Sequence, residues 1–247
     1  MKKILVLIFL TTLLHTKKPE IPTIPQPTPE EVVQEYCATP DIDLIFFAPD
    51  AGKLYKHIIQ GLIRATDVTG SIKVAAFRFT EKEVAQDLID AHNRGVSIEM
   101  VFDHGAVIST MASAVFPFCQ AGIPVYQHIP VNLIPPSQRI AEYVQEEEGL
   151  VRGSYPTIMH QKTMIFTNTC GGKNIVVFGS LNFTTAGFYG NEEAVQVRNK
   201  PEIVTAFTEH FEKLKTRCCS IDLHKTPGAG GSAKCAKSSP ARWATKI

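Results

Sequence analysis

The 247-residue sequence predicts an α/β fold: a mixed, mainly parallel β-sheet sandwiched between helices in a single domain. Two observations predict it. Short apolar runs of strand length alternate with longer segments whose apolar residues recur at helical spacing, as expected for a sheet covered on both faces. Apolar residues make up 44% of the chain, enough for one substantial core, and the length fits one domain with tails better than two.

Taken in order, Lys2 and Lys3 precede an apolar run over 4–14. That run is shorter than the roughly 20 residues a spanning helix needs, so 1–18 reads as a signal peptide or N-terminal anchor and the protein as exported, periplasmic or secreted. Residues 19–40 read as a Pro-rich linker. From Asp43 the pattern changes. An apolar run over 44–47 is followed by Leu54, Ile58, Ile59, Leu62 and Ile63 at helical spacing. Residues 71–77 read as a strand, and 81–93 as an amphipathic helix closed by Arg94-Gly95. A buried strand over 96–102, a helix over 109–120 stopped at Gly122, and a strand over 123–127 come next.

Residues 129–156 break this rhythm with Pro130, Pro135, Pro136 and the acidic run Glu146, Glu147, Glu148. So long a connection inside a domain reads as an insertion loop flanking the site. Two apolar runs, 163–166 and 175–178, enclose Gly171-Gly172 and read as a hairpin. A last strand over 194–197 precedes a helix over 201–216 with Pro201 in its first turn. The domain is placed at 41–219, with a basic flexible tail over 220–247 that carries Lys225, Lys234, Lys237, Arg242 and Lys246.

Charge is nearly balanced, 25 basic against 24 acidic residues, so no global field points to a polyanion. The six cysteines suit an oxidising compartment, and the expectation is that Cys37 and the three late cysteines tie the termini to the domain. They hold no C-x2-C pair, and the histidines outside His160 fall into no metal-ligand spacing.

Chemistry concentrates in two segments that are polar where a strand should be apolar. His160 and Lys162 are two apart, so both side chains leave one face of an extended chain. Ser180 and Asn182 repeat that spacing at the end of the next strand. In a hairpin the four groups converge, and an imidazole, an ammonium, a hydroxyl and an amide together suit a phosphate.

His160-x-Lys162, then Gly179-Ser180-x-Asn182-Phe183 and Asn191-Glu192-Glu193, resemble the signature of the phospholipase D superfamily. The likeness is strongest to its small bacterial endonucleases with one motif per chain. Phe47-Ala48-Pro49, Ala91-x-x-Arg94-Gly95-Val96 and the strand ending in Asp103 resemble that family's first half, and the resemblance runs over 43–217. One departure stands out: the family motif's aspartate position is Thr167, for which a structural role is expected.

The resemblance implies covalent catalysis through a phosphohistidine on His160, with Lys162, Asn182 and Ser180 holding the non-bridging oxygens. It implies that Glu193 holds the other ring nitrogen of His160, that a second motif comes from another protomer of a homodimer, and that neither cofactor nor metal is required. The expected substrate is nucleic acid, DNA or RNA, cut with low sequence specificity. A phospholipase or cardiolipin-type lipid hydrolase is the alternative, and a catalytically degenerate phosphate-binding module a third reading.

Overall fold

A computed structural model describes residues 28–108, 112–128 and 158–221. The signal or anchor over 1–18, the insertion over 129–156 and the basic tail beyond 221 lie outside the described residues.

Two-residue periodicity sorts the sheet's side chains into two cores. In β2 (Thr66–Ala76), Ile72, Val74 and Ala76 join one cluster while Ala75 joins the other. The same alternation divides Met100 and Phe102 from Val101 in β3 (Ser97–Asp103). It divides Met164 and Phe166 from Ile165 in β5 (Lys162–Thr169), and Ile175 and Val177 from Val176 in β6 (Lys173–Gly179).

The larger core is covered by α2 (Gly52–Arg64), α3 (Lys82–Asn93) and α5 (Ala112–Gln120), which follows the short α4 (His104–Ile108). The apolar stripe read in the sequence accounts for α2: Ile58, Ile59, Leu62 and Ile63 are all buried. At about 1.5–3 kcal/mol each, these four side chains alone dock the helix firmly. The opposite core is covered by α7 (Pro201–Thr216), whose Val204, Phe211 and Leu214 press on Ala75, Val101, Ile165 and Val176. A sheet sandwiched between helices is therefore the observed architecture.

Strand direction is where the expectation needs correcting. With β1 (Asp43–Ala48), β4 (Val125–His128), β7 (Glu193–Arg198) and β8 (Cys218–Ser220), the order is β1-β7-β6-β5-β2-β3-β4-β8. Only β2–β3 and β3–β4 are parallel; the other five pairings are antiparallel. Parallel neighbours need a crossover, and helices supply one only between β2, β3 and β4. The second half pairs through hairpin-like returns. The turn between β5 and β6 places Cys170, Gly171 and Gly172 at positive φ, the conformation for which the glycine pair is suited.

The linker ends earlier than expected, because α1 (Pro29–Ala38) is helical. Thr28 Oγ1 accepts from Glu31 N and Glu31 Oε2 accepts from Thr28 N, a reciprocal capping box, with Pro29 at a tolerated first-turn position. The helix lies against α2 at Gly61, where a Cβ would come within 1.9 Å of Val33 Cγ2.

The cysteine expectation holds for Cys37, which is bonded to Cys170 across 133 positions of sequence and so ties the N-terminal helix to the domain. It does not hold for Cys218, which, like Cys119, forms no disulfide among the described residues. Cys235 lies outside the described residues. Lys173 Nζ reinforces the junction by donating to the carbonyls of Cys37 and Thr39, both at 2.5 Å. No helix among the described residues is long and apolar enough to cross a membrane.

Closing so long a loop in the unfolded chain is where the disulfide acts. Cys37→Ser is expected to lower unfolding free energy by about 2–5 kcal/mol, read by urea denaturation, with the far end of the hairpin unchanged.

Candidate active site

The end of the sheet opposite the Cys37–Cys170 bond gathers the polar residues singled out in the sequence. Residues 158–161 run extended into β5, and Phe77 N donates to Gln161 O at 2.8 Å, carrying the β2–β5 ladder past Ala76. A buried carboxylate pins this segment. Asp103 Oδ2 accepts from Met159 N at 2.9 Å, while its Oδ1 accepts from Gly105 N at 2.8 Å. His160 is thereby presented exposed at the strand end, and Lys162 is only 4% exposed.

Lys162 Nζ donates to His160 O at 2.6 Å and lies 5.0 Å from the centroid of the Phe77 ring. The imidazole of His160 meets the same ring edge-on, centroids 4.5 Å apart.

The second segment leaves β6 at Gly179, where a Cβ would come within 2.2 Å of Ala194 O, so only glycine allows β7 this close. Ser180 N then donates to Ala194 O at 3.0 Å. Leu181 and Phe183 are buried, which turns Ser180 and Asn182 the other way, as their spacing predicts. Phe183 is locked to the chain after β2: its N donates to Arg78 O, and its O accepts from Thr80 N and Glu81 N.

Glu81 is in turn held by the buried Lys56 at 2.8 Å and by Thr185 of α6 (Thr185–Tyr189) at 3.2 Å. Thr184 N donates to Asn182 O at 2.7 Å. The loop that carries Asn182 is thus fixed on both sides. The Asn182 Oδ1 atom itself is buried and has no hydrogen-bond partner among the described residues.

Glu193 corrects one expectation. Its Oε2 accepts the Ser180 hydroxyl at 2.5 Å and its Oε1 accepts Asn191 Nδ2 at 3.2 Å, so its oxygens serve the loops rather than the ring nitrogen of His160. Ser180 is correspondingly a tie between loops, its Oγ also accepting from Ala194 N at 3.1 Å. Glu193 still acts on the site through its charge.

Electrostatically, His160 is held below its ordinary pKa, first by desolvation and then by the Lys162 ammonium, against the upward pull of Asp103 and Glu193. Lys162 is also held low by burial, with Glu193 opposing. The geometry therefore favours a neutral imidazole beside a confined cation. Among the described residues, no group of three or more His, Cys, Asp or Glu side chains converges as a metal site would.

The structure thus brings His160, Lys162, Ser180, Asn182 and Glu193 to one end of the sheet. It adds two residues that sequence reasoning passed over. Asp103 was legible only as a carboxylate ending a buried strand, and Phe77 as an aromatic where a strand gives out. The insertion 129–156 is itself outside the described residues, but its flanks meet here: His128 pairs with Asp103, which accepts from Met159.

A family model described as "Cardiolipin synthase, PLD-like domain" matches residues 58–215. The mitochondrial cardiolipin hydrolase of Chlamydomonas reinhardtii is 23% identical over 164 residues, covering 65% of this chain and 60% of its own length. The chain thus spans less than two thirds of that relative. Among solved structures, Nuc from Salmonella typhimurium, a phospholipase D family member, is similar with a TM-score of 0.53 and 21% identity. That match covers 73% of this chain and 97% of Nuc. NucT from Helicobacter pylori reaches a TM-score of 0.58 at 17% identity, covering 72% of this chain and 98% of its own. These two likenesses speak for the fold.

Thr167, at the motif's aspartate position, has a structural role. Its Oγ1 accepts from Ser71 N at 2.8 Å and shares a hydrogen with Ser71 Oγ at 2.8 Å. This is where the β2–β5 register shifts between Thr66 and Ser71. Thr167→Val strands the Ser71 amide and is expected to cost about 1–3 kcal/mol in urea denaturation. The His160 titration followed by NMR should stay in place.

Proposed function

Since the chain belongs to the phospholipase D superfamily, we propose that it is a phosphodiesterase, and more narrowly a metal-independent endonuclease of low sequence specificity. One observation carries the proposal: an exposed imidazole biased to its neutral form stands beside a confined ammonium that no carboxylate among the described residues neutralises, at one end of the sheet.

In the first step, a ring nitrogen of neutral His160 gives its electron pair to phosphorus, and the bond from phosphorus to the leaving oxygen breaks. A second histidine protonates that oxygen. Lys162 neutralises charge growing on the non-bridging oxygens, and Asn182 positions the phosphate by donating from Nδ2. In the second step the same histidine takes a proton from water, the water oxygen bonds to phosphorus, and the phosphorus–nitrogen bond breaks. The second histidine is the partner copy's in a homodimer with the site at its interface. Ser180 and Glu193 hold the loops in register.

Arg78 supports nucleic acid as substrate. Its guanidinium carbon lies 4.8 Å from the Phe77 ring that also faces Lys162, which extends the cationic wall a phosphate backbone requires. Ile158, 54% exposed two residues before His160, supports a second reading as a lipid phosphodiesterase, in keeping with the cardiolipin hydrolase relative. The Cys37–Cys170 bond supports an oxidising compartment, hence export.

The full chain, assayed in EDTA on single-stranded DNA, duplex DNA, RNA and anionic vesicles beside His160→Asn, tests the proposal. Cleavage of nucleic acid that the substitution abolishes is the expected result. Headgroup release alone would transfer the assignment to lipid, and no cleavage of any substrate would leave a phosphate-binding module. For the active substrate, kcat/KM is expected to follow a bell: it rises with pH as the attacking His160, held below its ordinary pKa, becomes neutral, and falls at higher pH as the second histidine loses the proton it must give to the leaving oxygen.

A further inference from the structure

Phe77 lies outside the motif residues, yet the groups most concerned with phosphate meet at its ring. β2 ends at Ala76, opposite Lys162, and the extra ladder bond from Phe77 N to Gln161 O sets the ring against the segment that carries His160. The imidazole packs on it at 4.5 Å with planes 61° apart. Lys162 Nζ lies 5.0 Å and Arg78 Cζ 4.8 Å from its centroid. The ring is half-buried, so it neither vanishes into the core nor stands free.

The carboxylate expected to steer His160 is occupied elsewhere, since Glu193 serves Ser180 and Asn191. The steering of the imidazole therefore falls to contact with a ring. An edge-on aromatic contact has a preferred geometry, and the face of the same ring attracts a cation.

We propose that Phe77 is a positioning residue: its ring sets the orientation of the His160 imidazole and its separation from the Lys162 ammonium. This rests on reading His160 as the nucleophile. One rigid ring fixed by β2 addresses two side chains fixed by β5, so imidazole and ammonium keep their spacing without bonding to each other. The ring also excludes water from one side of the imidazole. The charged groups facing His160 are Lys162 from β5, Asp103 from β3 and Glu193 from β7, with Arg78 beside Phe77. Removing the ring leaves all four in place.

The test uses the full chain with Phe77→Leu, Phe77→Met and Phe77→Tyr. Two readouts are taken: steady-state hydrolysis of bis(p-nitrophenyl) phosphate and NMR titration of the His160 ring. Phe77→Leu is expected to lower kcat by about 10–100-fold, the cost of a small misplacement of a reacting group, with KM little changed. The His160 pKa should move up toward its ordinary value as water reaches the ring, and Phe77→Tyr should restore both readouts. Phe77→Met, similar in volume but without a ring, carries the same expectation should the leucine variant fail to fold.

A ring-free variant with wild-type kcat and an unshifted His160 titration would overturn the proposal. So would equal losses in Phe77→Tyr and Phe77→Met. If the wild-type protein hydrolyses no phosphodiester, the functional reading fails, while the titration still decides whether Phe77 governs the imidazole.

Discussion

The antiparallel pairing of β2 with β5 joins two halves of the chain that fold by different rules, and both the cores and the site depend on its register. On one side lie β3 and β4, reached by helical crossovers; on the other lie β6 and β7, reached by returns, with β1 of the first half paired outside β7. Along the pair, every second residue enters the larger core and the others the core under α7. A slip of one residue would exchange the two sets and turn Lys162 from one side of the sheet to the other. Thr167, gripping the Ser71 amide where the ladder becomes irregular, sits where such a slip would begin.

Holding a cation at 4% exposure needs compensation, and the site distributes it. A carbonyl receives the ammonium, an aromatic face lies beneath it, and Glu193 acts from a distance without forming an ion pair. A full ion pair would quench the charge that a phosphate needs. Elsewhere the chain does make such pairs, as between Lys56 and Glu81, where the task is to fasten α2 to the loop after β2. The contrast between Lys56 and Lys162 separates a lysine that holds the structure from one left available to a ligand.

Much of this was legible in the sequence, and the parts that were not share a cause. Period-two and helical spacing are local, so the strands of the sheet other than the three-residue β8, with α2 and α7, could be read, and α7 runs over the expected 201–216. The i, i+2 pairs His160/Lys162 and Ser180/Asn182 were legible for the same reason. Strand direction was not, because pairing depends on which distant segment arrives alongside. Helix α1 was hidden by neighbouring prolines, although Thr28, Pro29 and Glu31 together form a helix start. The partners of Cys37 and Glu193 and the contacts of Asp103 and Phe77 link residues far apart in sequence, and no local spacing encodes them.

The hairpin of β5 and β6 is anchored at one end and reactive at the other. Its turn is tied to α1 by the Cys37–Cys170 bond and by Lys173, while Lys162 and Gly179 open the site about two dozen ångströms away, the length of an eight-residue strand. Durability and chemistry are therefore written into opposite ends of one beam. Evolution can harden or soften the clamp for a harsher or milder environment without redrawing the reactive end. It can equally reshape the reactive end for a new ester while the clamp keeps the beam in place.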